Sequence, residues 1–345
     1  MPVAPASHDH LLSSYDFDYP PELIAAQPAP QRDGSRLLIL DRANNGVEHR
    51  HFRELSEFLR PGDCLVLNRT KVWPARLVGR KSTGGKAELL LVRELEPGLW
   101  TALASGFKTG TRVELEGGFH FKVEGLNEEG EYRCRFSTTD VLGLMARHGL
   151  APLPPYILKS RKQIAGDDLA RYQTVYATEE GSIAAPTAGL HFTPQLLDRL
   201  RANGVRVVEI VLHVGRGTFR PVTAEDVREH RMLAEWYRVG PETWAAVQEA
   251  RAARHRVVAV GTTATRTLET VAMRGALEGW TDLYIGPGHR FQTVDALITN
   301  FHLPRSSPLI LASAFAGRER LLAAYREAIA RRYRLYSYGD AMLIA

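Results

Sequence analysis

Two periods of hydrophobic and polar positions divide the chain. From about Pro61 to Gly149, short runs of alternating or continuous apolar character (CLVLN, ARLVGRK, AELLLVREL, WTALAS, RVELEG, FHFKVEG and EYRCRFS) are broken at Gly84-Gly85, Pro97-Gly98, Gly117-Gly118 and Glu129-Gly130. That spacing predicts a small β-barrel. The run VLGLMARHG predicts a short helix ended by Gly149, and Pro152, Pro154 and Pro155 read as a boundary linker. Beyond them helices and strands alternate. Thr193 is a predicted N-cap with Pro194 at the first helical position, and the helix stops at Asn203-Gly204. Then come the strand VRVVEIVLHV, a helix opened by Pro241, the strand RVVAV and a helix near TRTLETVAMR. The strands TDLYI and ALITNFHL follow, then a helix around PLILASAFA that resumes after Gly317. This is α/β order. With LLILDR as a strand in the first sixty residues, the simplest layout is an α/β main domain with a mixed sheet or barrel, built of residues 1–60 and 151–345. A small β-barrel, residues 61–150, is inserted in it. The leading tract MPVAPASHDH is expected to be disordered.

Four segments follow neither period: GSIAAPTAGLHFT (181–193), HVGRGTFRP (213–221), GTTATRT (261–267) and LITNFHLP (297–304). Each follows or overlaps an apolar run, so amides, hydroxyls, imidazoles and a guanidinium are delivered to strand ends, where α/β sheets bind ligands. Gly261-Thr262-Thr263 lies between a strand and a helix. It serves either as an ordinary helix cap or as an anion site at the positive helix end. His191, His213 and His302 stand in these segments, with Asp295 just upstream of the last. No Walker loop, G-x-G-x-x-G fingerprint, H-E-x-x-H or paired cysteines occur, so the usual nucleotide and zinc motifs lack their residues.

Composition changes the picture little. The 345 residues are 44% hydrophobic and 24% charged, which allows two packed domains. No apolar run approaches the roughly 18 residues that span a bilayer, and the start lacks a secretory signal, so a cytoplasmic protein is expected. Cys64 and Cys134 sit in apolar or alternating runs and are expected to be buried free thiols. The formal charge of +5 is concentrated between Arg305 and Arg334, where seven arginines face Glu319 and Glu327. That stretch reads either as a solvated helix face or as a phosphate contact.

The four segments resemble those of the S-adenosylmethionine:tRNA ribosyltransferase-isomerase family of queuosine biosynthesis. So do Phe17–Arg42, Leu65–Lys81, APLPPYI (151–157), RYQTVYA (171–177), Thr281–Gly317 and YSYGDAMLI (336–344). The resemblance implies the same two-domain architecture. It also implies transfer and isomerisation of the ribosyl group of S-adenosylmethionine onto the aminomethyl group of a 7-deazaguanine (preQ1) at the tRNA wobble position. Adenine and methionine are released. The donor is a co-substrate, with no tightly bound cofactor and no metal, and the protein is expected to act as a monomer. Proton removal beside the sulfonium needs a base, for which His213 or His191 is the candidate, with Asp295 orienting a partner or the ribose hydroxyls. Pro186, Thr187, Ala188, Gly189, Phe192, Gly215, Gly217, Thr218, Gly261, Thr262, Thr263, Arg266, Thr299, Asn300 and His302 are the expected substrate-binding residues. The tRNA is assigned to Arg69, Arg76, Arg216, Arg220, Arg318, Arg320, Arg331 and Arg332. Phe107, Tyr156, Tyr172 and Phe192 are candidates to stack an unpaired base.

Arg216, Ala296 and the GPGHRF turn depart from the family pattern beside these positions. Two other readings use the same residues. A metal-assisted nucleotide phosphoesterase would draw on His191, His213, His302 and Asp295; a non-catalytic RNA-binding module would rely on the basic tail and the β-rich insertion.

Overall fold

The computed structural model describes residues 8–44, 46–161, 164, 166–219 and 222–345. A nine-stranded mixed sheet forms the centre. Its strand order is Glu278–Thr281, Glu235–Val239, Arg206–Leu212, Cys64–Asn68, Val257–Val260, Ala296–Asn300, Ala341–Ile344, Arg36–Leu40 and Val47–His51. The four strands from Arg206–Leu212 to Ala296–Asn300 run parallel. Alternate residues of one strand enter different cores: Cys64 and Val66 pack on one face, Leu65 and Leu67 on the other. The first face is covered by Gly261–Arg274, Ser307–Ala316 and Arg318–Ala330; the second packs Phe52, Phe192 and the helix Pro194–Ala202. Thr193 caps that helix as its sequence predicts, its Oγ1 accepting from the Leu196 amide at 3.1 Å.

A closed six-stranded barrel is the second unit, ordered Tyr132–Phe136, Leu99–Ala104, Lys86–Glu96, Arg76–Lys81, Arg112–Leu115 and His120–Leu126. Trp100, Phe121, Leu89, Leu91 and Val113 fill it, and the helix Val141–His148 packs against it after an Asp140 N-cap. Both cysteines are buried free thiols; burial pushes Cys64 up to about 11 and Cys134 up to about 12.

Three expectations need correction. CLVLN, grouped with the barrel stretch, is a central strand of the main sheet. All five of its residues are buried, as a strand covered on both faces requires. TDLYI contributes only Thr281 to a strand, which is Glu278–Thr281; the Thr281 side chain instead bonds Thr270 and the Leu283 amide. The leading tract is not wholly disordered. His8 to Tyr15 is packed, with Leu11 bridged to Asp226, Tyr15 1% exposed and Asp9 paired with Arg318 at 2.6 Å. Residues 1–7 lie outside the described residues. Among the described residues no helix is long and apolar enough to cross a membrane.

Candidate active site

Three of the four aperiodic segments leave the carboxyl ends of the parallel strands Arg206–Leu212, Val257–Val260 and Ala296–Asn300, the first two flanking Cys64–Asn68, so the topology gathers them at one edge of the sheet. There they enclose a cavity of about 340 Å³ with the 181–193 segment. Of the expected substrate-binding residues, Pro186, Thr187, Ala188, Gly261, Thr262, Thr263, Thr299, Asn300 and His302 line it.

Gly261 begins a fourteen-residue helix with φ of +85°, a conformation that strains any residue with a Cβ. No side chain caps this helix, so its first amides remain available to an anion in the cavity. Thr263 is held from beneath by Asn68 Nδ2 at 3.3 Å. Asn68 is itself buried and accepts from the amides of Leu212 and Thr70, which locks two loop exits to the central strand.

The three histidines have different surroundings. His302 lines the cavity, and its Nε2 lies 2.7 Å from Thr299 Oγ1. Among the described residues Nδ1 has no hydrogen-bond partner. Burial lowers its pKa to about 4, so the ring is neutral at physiological pH. His191 lies behind the cavity wall. Its Nδ1 meets Ser35 Oγ at 2.7 Å, its Nε2 faces Asn300 Nδ2 at 3.1 Å, and Asn300 Oδ1 accepts from Thr187 Oγ1 at 2.8 Å. The amide donates to Nε2, so the proton sits on Nδ1 and both ring nitrogens are committed. Burial, then Arg334 and Arg32, lowers His191 to about 3. His213 is stacked on Trp236 at 5.0 Å and bonded to Thr70 Oγ1 at 2.9 Å. The strand alternation turns it away from the cavity that Val214 lines, and burial lowers its pKa. Of the three histidines, His302 lines the cavity, and His191 and His213 do not.

Asp295 is also displaced. It precedes Ala296, at the opposite end of the strand from Thr299 and Asn300, and its Oδ2 accepts the Val257 amide at 2.9 Å. Arg266 is buried in an ion pair with Glu235 and donates to the carbonyls of Leu283 and Thr281. It lies one helical turn beyond Thr262 and Thr263, on their face of the helix, and these bonds hold its guanidinium outside the cavity lining. Gly189 serves packing, since a Cβ there would stand 2.0 Å from Tyr176 Oη. Phe192 is fully buried edge-on to Phe52, and Phe107 lies in the barrel core. Gly215 donates its amide to Glu235 at 2.8 Å, and neither it nor Gly217 lines the cavity. The Thr218 side chain and all of Arg220 lie outside the described residues.

Several lining residues escaped the pattern reading. Lys159, Arg305, Tyr336 and Ser337 join the cavity beside Tyr156 and Tyr172, the two stacking candidates that do reach it. Tyr156 Oη bonds Ser337 Oγ and accepts the Ser337 amide at 3.1 Å; burial raises it to about 12. Tyr336 packs edge-on to Tyr156 at 5.2 Å and holds φ of +72°, a strained backbone for a bulky residue. Positive φ at an aromatic residue was the signal, and it is invisible to periodicity. Among the described residues no Asp or Glu lines the cavity, and no cluster of three or more His, Cys, Asp or Glu could hold a metal.

The arginines assigned to RNA do not form one wall. Arg76 is 8% exposed, paired with Glu88 and donating to the Leu153 carbonyl at 3.0 Å. Arg216 ties the main domain to the barrel through Glu131 at 3.1 Å and Glu129 at 3.7 Å. Arg69 pairs with Glu179 at 3.0 Å, Arg318 is turned toward Asp9 and the Ser14 carbonyl, and Arg320 bonds the Ala316 carbonyl. Only Arg331 and Arg332 of the described set present most of their side chains, 58% and 66%, to solvent.

A family model described as queuosine biosynthesis protein matches residues 12–344. The S-adenosylmethionine:tRNA ribosyltransferase-isomerase of Moorella thermoacetica is 51% identical over 344 residues, covering 96% of this chain and 99% of that protein. The protein of the same name from Symbiobacterium thermophilum is 51% identical over 343 residues with equal coverage. The crystal structure of S-adenosylmethionine tRNA ribosyltransferase from Thermotoga maritima aligns with a TM-score of 0.56 at 40% identity, covering 96% of this chain and 100% of that one. The sheet with its inserted barrel, the cavity at the carboxyl strand ends and the near-complete match together place this chain in the queuosine biosynthesis protein family, among the S-adenosylmethionine:tRNA ribosyltransferase-isomerases.

Proposed function

We propose that the cavity binds S-adenosylmethionine beside an extruded 7-aminomethyl-7-deazaguanine of tRNA, and that the chain transfers and isomerises the ribosyl group onto its aminomethyl nitrogen. The observation that carries this reading is the juxtaposition in one cavity of an uncapped helix N-terminus, three tyrosines and a neutral imidazole. The amides of Gly261 to Thr263 and the threonine hydroxyls suit the methionine carboxylate. The faces of Tyr156, Tyr172 and Tyr336 suit a sulfonium and a nucleobase, through cation–π attraction and stacking. His302 Nδ1 takes the proton from the carbon next to sulfur, whose acidity the sulfonium raises. Thr299 at Nε2 fixes the ring's direction. Adenine then leaves, the amine attacks, and epoxide closure expels methionine, giving epoxyqueuosine. A weak base suffices only for an acidified carbon, which is what a sulfonium neighbour supplies.

His191 is a positioning residue in this reading. It holds the Asn300 amide so that Oδ1 receives Thr187, fixing two segments of the wall at once. The tRNA substrate suits a cytoplasmic setting. Incubation with S-adenosylmethionine and prequeuosine-containing tRNA, followed by mass spectrometry, is expected to show epoxyqueuosine and free adenine in equal amounts. Absence of both refutes the reading. The phosphoesterase alternative gains nothing from the fold, because His191, His213, His302 and Asp295 do not converge.

A further inference from the structure

Beside the cavity, sharing Ser337 with it, lies a notch of about 20 Å³, room for one water-sized group. Arg32, Arg171 and Arg334 line it with Ser35 and His191. Arg32 donates to the carbonyls of Leu190 at 3.2 Å and Ala170 at 3.0 Å; Arg171 donates to those of Pro30 at 3.2 Å and Ala29 at 2.5 Å. These bonds fix the two guanidinium planes without neutralising them. Among the described residues no carboxylate oxygen comes within 4.0 Å of either group, and only Arg334 reaches one, Asp340 at 3.8 Å. Arg171 Nε is moreover buried with no hydrogen-bond partner. Burial, and then the charge of Arg171, pulls Arg32 below its ordinary pKa. Partly buried cations that repel one another and lack a counter-charge are costly to maintain, and an oxyanion relieves that cost through charge-assisted bonds to planar forks.

We propose that this notch is an anchoring site for a backbone phosphodiester of the RNA substrate, with one non-bridging oxygen seated between Arg32 and Arg171; the inference rests on the tRNA reading above. The chain Ser35–His191–Asn300–Thr187 runs from the notch to the cavity wall. A phosphate fixed at one end thus stands in rigid register with the pocket at the other, as a nucleotide drawn from its stack requires.

The test uses an anticodon stem-loop RNA in which a single neutral methylphosphonate is walked across the phosphates flanking the wobble position. It is titrated against the full wild-type chain, Arg171→Gln, Arg171→Lys and Arg32→Gln. One position is expected at which neutralisation weakens wild-type binding about tenfold and leaves Arg171→Gln indifferent. The salt slope of the glutamine variants should fall by about 0.7 to 0.9, the value of one phosphate contact, and Arg171→Lys should keep most of it. Arg32→Gln carries the same test if thermal melting shows Arg171→Gln to be misfolded. Identical methylphosphonate profiles and salt slopes in wild type and both glutamine variants overturn the proposal. So does a notch that binds inorganic phosphate in an Arg171-dependent manner while RNA binding stays unaltered, since the site then serves a free oxyanion. Adenine release by the wild type is scored in parallel: its absence sinks the functional reading, whereas turnover with unchanged profiles sinks the notch alone.

Discussion

A histidine becomes a base only where its lone pair reaches the reacting atom, and on that ground His302 differs from His191 and His213. All three are pushed toward the neutral form by burial, yet His191 uses both nitrogens to hold Ser35 and Asn300, and His213 is stacked beneath Trp236. His302→Ala is therefore expected to slow solvent exchange at the 5′ carbon of the donor by about 10²- to 10⁴-fold, with His213→Ala within a few-fold of wild type. Equal losses in both variants would contradict the assignment. The pH profile adds a second check. Protonation removes the lone pair, and the pKa of His302 is lowered to about 4, so exchange should stay level from pH 8 down to about 5 and decline only below. An acid limb centred near 6.5 would mean that an unburied imidazole does the work.

The elements show why basic residues with one sequence signature play different parts. Arg318 opens the helix Arg318–Ala330 but is 15% exposed and held by Asp9, so Arg318→Ala removes a charge-assisted bond at a partly buried site and should cost about 2 kcal/mol in urea unfolding. Arg331 and Arg332, at the far end, are open to solvent. Their joint replacement by alanine should lower the salt slope of tRNA binding by about 1 to 2 and leave unfolding within about 0.5 kcal/mol. A destabilised double variant with an unchanged slope would reverse the two roles. Much at this scale was legible in the chain. Thr193-Pro194, Asn203-Gly204 and Pro241 mark helix ends that the structure keeps, and the aperiodic segments do meet at strand ends. Unreadable were directions: nothing local says that Arg266 turns toward Glu235, that Asp295 caps the wrong end of its strand, or that Tyr336 swings into the cavity on a positive φ. Those depend on partners dozens to hundreds of residues away. CLVLN shows the same limit, since an apolar run suits a buried central strand as well as a barrel strand.

For the molecule as a whole, these buried imidazoles link the frame of the site to global stability. His191 and His302 have folded pKa values of about 3 and 4, below the ordinary value near 6.5 that they regain on unfolding. Between those limits the unfolded chain binds more protons than the folded one. The stabilisation is thus complete above pH 6.5 and is lost as pH falls toward 4, at up to about 1.4 kcal/mol per pH unit for each histidine. Glu269 acts in the same direction at lower pH. Burial raises its pKa, but hydrogen bonds from His289 and the amides of Gln292, Thr293 and Val294 outweigh it and hold the carboxylate below its ordinary range. Urea unfolding at half-unit steps from pH 7 to 4.5 should therefore give a free energy that declines steadily from about pH 6.5. His191→Gln, which keeps an amide against Asn300 and cannot take up a proton, should be less stable at pH 7 yet show a slope shallower by about one proton. A variant slope parallel to the wild type would mean that His191 already exchanges its proton in the folded state, and the rigid chain from Ser35 to Thr187 would then not hold as drawn.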